Sequence, residues 1–214
     1  FDKAHENHLL ALNLLDITPD LSGNELVRSE LLVEVANDLA KLDGKDQAAK
    51  NYKEVLEILK GKEVDTDLFR GYIDFARNYA DRLHHGKEEL ILFRIMVDEL
   101  GAVADKLINH GMLIEHDYGR LYLTKLDEAL DEYDETQDDI VKLDIIANAM
   151  GYGNHLTRHI EKENSVVYTF AERQLNSDLL NRVDDETKTF ETEAESEKNA
   201  YLEWLDKVKS QVLN

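Results

Sequence analysis

One proline, Pro19, stands in 214 residues, and its ring geometry makes it the single strong helix breaker in the chain. Ten glycines leave few positions for tight turns. Long stretches between these breakers carry apolar residues at helical spacing. The composition supports them, with 43% hydrophobic and 33% charged residues drawn largely from Leu, Ala, Glu, Asp and Lys. The fold class these features predict is all-α.

The apolar pattern resolves into segments. In residues 2–15, Ala4, Leu9, Leu12 and Leu15 form a helical stripe, and Asp16 to Gly23 punctuates it. A second helix is predicted from about Glu25 to Leu42, and a third from Asp46 to Leu59. Asp65 or Thr66 has the character of an N-cap for a long helix reaching Leu100. Gly101 marks the turn into a helix from about Val103 to Tyr133, and a further long helix runs from Ile140 to about Leu175. The remainder, residues 176–214, is acidic and then amphipathic through Tyr201, Leu205, Val208 and Val212. That stripe suits packing on the bundle or on a second copy as a homodimer.

A formal charge of −21 argues against nucleic acid and against an anionic membrane surface as partners, since both need cationic neutralisation. It serves solubility by self-repulsion, or steers cations toward the protein. The absence of cysteine excludes disulfides, thiolate metal sites and iron–sulfur clusters. No apolar run approaches the ~20 residues that span a bilayer, and a cytoplasmic protein is expected.

Eight histidines stand out for their arrangement: His5, His8, His84, His85, His110, His116, His155 and His159. His84 and Glu88 are four apart, as are His159 and Glu163, which places each pair on one helix face about a turn apart. Such pairs also occur as exposed hydrogen bonds. Here each leads into an apolar run, Leu90 to Phe93 and Val166 to Phe170, so part of each faces the interior. Buried ionised carboxylates are costly unless paired or metal-bound. Two glutamates with several imidazoles make an N/O ligand set suited to iron, manganese or zinc. A carboxylate can bridge two ions whereas a neutral imidazole caps one, so a dinuclear centre suits this set better than a single ion.

Three stretches resemble a known family. His84-His-Gly-Lys-Glu-Glu-Leu-Ile-Leu-Phe93 looks like the hallmark of the hemerythrin-like HHE cation-binding proteins. Glu115-His-Asp-Tyr-Gly-Arg120 and His159-Ile-Glu-Lys-Glu-Asn164 are similar to two further elements of that family, in the same order. The resemblance spans about residues 65–175 and implies an antiparallel four-helix bundle holding two iron ions, a non-haem di-iron centre.

The ligands it implies are His84, Glu88, His116, His159 and Glu163. His84 is preferred to His85 because only His84 stands four before Glu88, and His85 is expected to be supporting or exposed. The chain departs from the family pattern at the first helix, because the matching slot within 46–59 holds no histidine. His5, 79 positions before His84, has the right surroundings, with His8 as the fallback. The bundle is then expected to use residues 1–16 within a domain of 1–175, with 17–60 an inserted helical pair and 176–214 an extra C-terminal helix.

His155 could be a fifth histidine ligand or line the core. His110 reads as structural or exposed. Glu115 and Arg120 could orient the imidazoles, and Tyr118 or Tyr79 could offer a hydroxyl to a bound molecule. The implied function is binding of dioxygen or a related gas such as nitric oxide, for storage, delivery or sensing. Turnover of nitric oxide or peroxide, iron-centre repair, and a structural or regulatory metal bundle are the alternatives.

Overall fold

The computed structural model describes residues 59–212 together with 53, 56 and 57. Among them there is no strand. Five helical rods account for most of the described residues. Helix α1 runs without interruption from Thr66 to Leu100, α2 from Ala102 to Thr136, α3 from Val141 to Gln174, α4 from Ser177 to Glu193 and α5 from Glu195 to Val212. The expected helix over 1–16 and almost all of the expected inserted pair over 17–60 lie outside the described residues.

The ends of the rods follow from local chemistry. Gly101 separates α1 from α2 with φ of 68°, a left-handed conformation that glycine adopts without a Cβ penalty. Between α2 and α3 the Asp138 carboxylate accepts from the Ile140 N–H at 3.0 Å. Asn176 caps α4, its side-chain oxygen accepting from the Leu179 N–H at 3.0 Å.

Residues 176–214 form two helices rather than one. Ala194, at φ −97° and ψ 2°, separates them. In a continuous helix Glu191 would face Glu195, and Glu193 would face Glu197, at the i,i+4 spacing where like charges weaken a helix.

Three of the rods are not uniformly α-helical. Helix α1 widens to π-helix over Ala76–His85 and again over Glu88–Phe93, α2 over Ile108–Met112, and α3 over Glu163–Val167. A π-turn adds a residue to each turn, and such bulges cluster at functional positions. His84, His85, Glu88 and Glu163 all sit at the ends of these segments.

The chain divides into two compact units, residues 1–66 with 125–151 and residues 67–124 with 152–214. In the first, Lys142 is buried. Its ammonium donates to the Leu59 carbonyl at 3.2 Å, to the Lys62 carbonyl and to Asp139 at 2.6 Å, and it lies over the Tyr133 ring. These bonds satisfy an otherwise costly buried charge.

The second unit holds an apolar core of Ile91, Phe93, Ile95, Met96, Ala104, Ile108, Met112, Val167, Ala171 and Leu175. Leu179, Leu180, Val183 and Phe190 of α4 pack against it. Helix α5 lies along Ala76–His85, where Trp204 stacks on Phe75 with centroids 5.8 Å apart and meets Tyr72 edge-on. The amphipathic stripe of α5 is therefore used within the chain, with Val208 buried. No described helix is long and apolar enough to cross a membrane.

Candidate metal centre

The second unit brings the three sequence stretches together. His85, Glu88, His116 and His159 offer four ligand atoms within 4.8 Å of one another, all from buried residues. His84, Glu88 and Glu163 form a second such group. Glu88 belongs to both. Its Oε2 lies 3.7 Å from His116 Nε2, and its Oε1 lies 3.9 Å from His84 Nε2. Donors bound at about 2.1 Å to one ion stand roughly 3–4 Å apart, so these separations leave room for an ion and are too long for hydrogen bonds.

The imidazoles are set up to present Nε2. His116 Nδ1 donates to Glu89 at 2.7 Å, His85 Nδ1 to Asp81 at 3.1 Å and His159 Nδ1 to Glu115 at 3.2 Å. A carboxylate on Nδ1 fixes the tautomer with its proton there, which leaves the Nε2 lone pair facing the cluster and makes it more basic. The rings of His85 and His116 stack at 3.9 Å, nearly parallel, and His159 stands edge-on to both.

Arg120 ties two of these orienting groups together. Its guanidinium donates to both oxygens of Asp81 (3.0 Å from Nε to each, 2.7 Å from Nη2 to one) and to Glu89 at 2.7 Å. Burial raises the Asp81 pKa, but the bonds from His85 and Arg120 outweigh it and hold the carboxyl well below the usual range. Asp81 is thus an anion at any ordinary pH. Lys162 pairs in the same way with Glu115.

The interior of the cluster is short of partners. Glu88 Oε2, His116 Nε2, His159 Nε2 and Glu163 Oε1 are all buried without a hydrogen bond. His159 Nε2 and Glu163 Oε1 stand 2.9 Å apart, yet without hydrogen-bond alignment. An orphaned buried polar atom costs about 1–3 kcal/mol, and here four such atoms converge. Burial, reinforced by the Glu163 carboxylate, pushes Glu88 up to about 8. Burial also opposes ionisation of Glu163, but the His159 imidazole outweighs it and keeps that pKa below the ordinary value. The orphaned donors, their mixed N/O chemistry and the proton held by the carboxylate pair all fit a divalent cation.

The remaining sequence candidates fall into place around this. His84 is half-exposed and His85 is buried. Adjacent residues on a helix diverge by roughly a quarter-turn, even in this wider π-segment, so the doublet divides, with His85 on the buried group and His84 on the flank with Glu163. His155 stands outside both groups. Its Nε2 donates to the Glu115 carbonyl at 2.7 Å, and its ring stacks on His159 at 6.0 Å. His110 is exposed. His5 and His8 lie outside the described residues.

Tyr118 is exposed, and Tyr79 packs on Phe75 at 4.9 Å. The hydroxyl that reaches the cluster belongs to Tyr168, which donates to Glu88 Oε1. Sequence reasoning missed Tyr168, Glu89 and the role of Asp81. Of these only Asp81 carried a readable signal, because it stands four residues before His85 and so shares a helix face with it.

No curated protein and no solved structure matches the chain. The family model of the hemerythrin HHE cation binding domain matches residues 1–171. That match covers most of the 214 residues and contains every residue of both clusters. The chain belongs to the hemerythrin HHE cation-binding family.

Proposed function

We propose that the chain holds two iron ions and binds dioxygen, or a related small gas such as nitric oxide, for storage, delivery or sensing. Glu88 carries this reading, because among the described residues it is the one common to two convergent ligand groups. In the proposed arrangement His85, His116 and His159 face one ion, His84 and Glu163 face the other, and Glu88 lies between them. His5, with His8 as fallback, completes the set from a first bundle helix over 1–16, which makes the whole an antiparallel four-helix bundle.

When bound, iron would supply the electrons that reversible uptake of dioxygen requires. The chain's own residues would do the rest. Asp81, Glu89 and Glu115 keep three Nδ1 atoms protonated and three Nε2 atoms available. Phe93 and Val167 are essentially fully buried, and the Phe93 ring stacks on His116 at 5.7 Å, so water is kept from that side. The Tyr168 hydroxyl holds Glu88 by one oxygen and leaves the other facing His116.

The test is a visible spectrum of the reduced, iron-loaded protein before and after air, followed by removal of oxygen. Bands that appear with air and vanish on degassing support a carrier or sensor. Irreversible oxidation would overturn reversible binding and favour turnover of nitric oxide or peroxide, or iron-centre repair.

A further inference from the structure

Beside the second ligand group lies a small cavity of about 70 Å³, lined by Tyr79, His84, Lys87, Phe190, Glu191 and Lys198 among others. Three features give it a chemical character. Glu88 and Glu163 are almost completely buried, whereas the His84 side chain is 45% exposed, so His84 is the face of that group open to the outside. The wall opposite His84 comes from α4 and α5, beyond the residues that match the family. Two ammonium groups meet there on one carboxylate. Lys87 pairs with Glu191, and Lys198 stands 3.6 Å from the same Glu191. In a chain of charge −21, the lining of this cavity holds two ammonium groups against one carboxylate.

We propose that the cavity is an anion-selective vestibule to the His84 side of the metal centre, accepting small monoanions of three or four heavy atoms such as azide, nitrite or formate. Its role as a vestibule rests on the reading of His84 and Glu88 as ligands. Anion binding by the lysines does not.

The size supports the class, since about 70 Å³ holds a few heavy atoms. The donors support the sign. Each ammonium has three N–H groups, and Glu191 is the only ion-pair partner of either lysine among the described residues. Glu191 already occupies the position of a bound anion, and the Lys87 bond favours its charge more than burial opposes it, so the carboxyl stays ionised. An incoming anion must share the lysines with it. This makes Glu191 a competitor that sets affinity, while the wall of α4 and α5 sets size.

The probe is sodium azide, added to the metal-free full chain and followed by its infrared stretching band at constant ionic strength. Expected is a saturable bound band, with a Kd on the order of millimolar. The double variant Lys87→Met/Lys198→Met should weaken binding about tenfold or more, Lys198→Arg should retain it, and Glu191→Gln should tighten it. Circular dichroism checks that each variant folds, and Lys198→Met alone carries the comparison if the double variant does not.

In the iron-loaded oxidised chain, the same lysine substitutions should slow the appearance of the azide-to-iron absorption band. No saturable band in the metal-free chain, or one unchanged in the lysine variants, overturns the site. Unchanged arrival at the iron in those variants overturns the vestibule. Failure of the chain to take up iron would sink the proposed function, yet the metal-free titration would still read the anion site.

Discussion

Replacing Glu89 with alanine isolates the claim that carboxylates on Nδ1 make this cluster a metal site. The His116 side chain is fully buried, and its Nδ1–H is held by Glu89 at 2.7 Å. In Glu89→Ala that N–H loses its acceptor inside the protein, at a cost of about 1–3 kcal/mol. The ring is then free to turn or change tautomer, and the Nε2 lone pair near Glu88 Oε2 is no longer enforced. Loss of such an orienting partner typically lowers metal affinity 10–100-fold, equivalent to about 1.4–2.8 kcal/mol.

A competition titration against a chromophoric chelator would read the effect. Glu89→Gln keeps an acceptor oxygen on His116 and should lose less than about tenfold. Asp117→Ala supplies the control, because Asp117 is 76% exposed and touches Arg120 without reaching an imidazole, so its affinity should equal that of the parent. Wild-type affinity in Glu89→Ala would refute the reasoning, as would an equal loss in Asp117→Ala.

Glu88→Ala and Glu163→Ala should each lower bound iron from two per chain toward one or none by elemental analysis, and His5→Ala should lower it where His8→Ala does not. The Glu88 pKa of about 8 lies above its unfolded value near 4.5, so the folded metal-free chain holds the extra proton between those values. The stability that Glu88 contributes to the metal-free chain should therefore be lost as pH rises from about 4.5 to 8, against the opposite trend of His84, His116 and His155, whose pKa values burial lowers. Metal uptake near neutral pH should release a proton, measurable by calorimetry in buffers of different ionisation enthalpy. Gly71→Ala should destabilise the chain by about 1–3 kcal/mol in chemical denaturation, because a Cβ there would meet the Trp204 ring at 2.6 Å. A gain in stability there would contradict the packing of α5 on α1.

Much of the fold was legible because its signals are local. The N-cap region before α1 and the turn at Gly101 bound that helix where the sequence placed them. The four-residue spacings of His84 with Glu88 and His159 with Glu163 announced shared helix faces, and the structure places both pairs at the clusters. What the sequence hid depends on departures from regular geometry and on contacts across helices. A 3.6-residue period favours His84 over His85, but π-turns on either side and the inward position of Asp81 bury His85. Glu89 follows a candidate ligand directly, and its bond to His116 spans 27 residues, so no spacing rule reveals it. Tyr168 reaches Glu88 over 80 residues in the same manner. The break at Ala194 carries no glycine or proline, so no turn signal marks it within the acidic run.

The central claim is that Glu88 lies between two ions. Crystals of the iron-loaded full chain, measured at the iron absorption edge, test it most directly. Two anomalous peaks per chain are expected to flank the Glu88 carboxylate, one beside His85, His116 and His159 and the other beside His84 and Glu163. A single peak, or two that do not share Glu88, would contradict it.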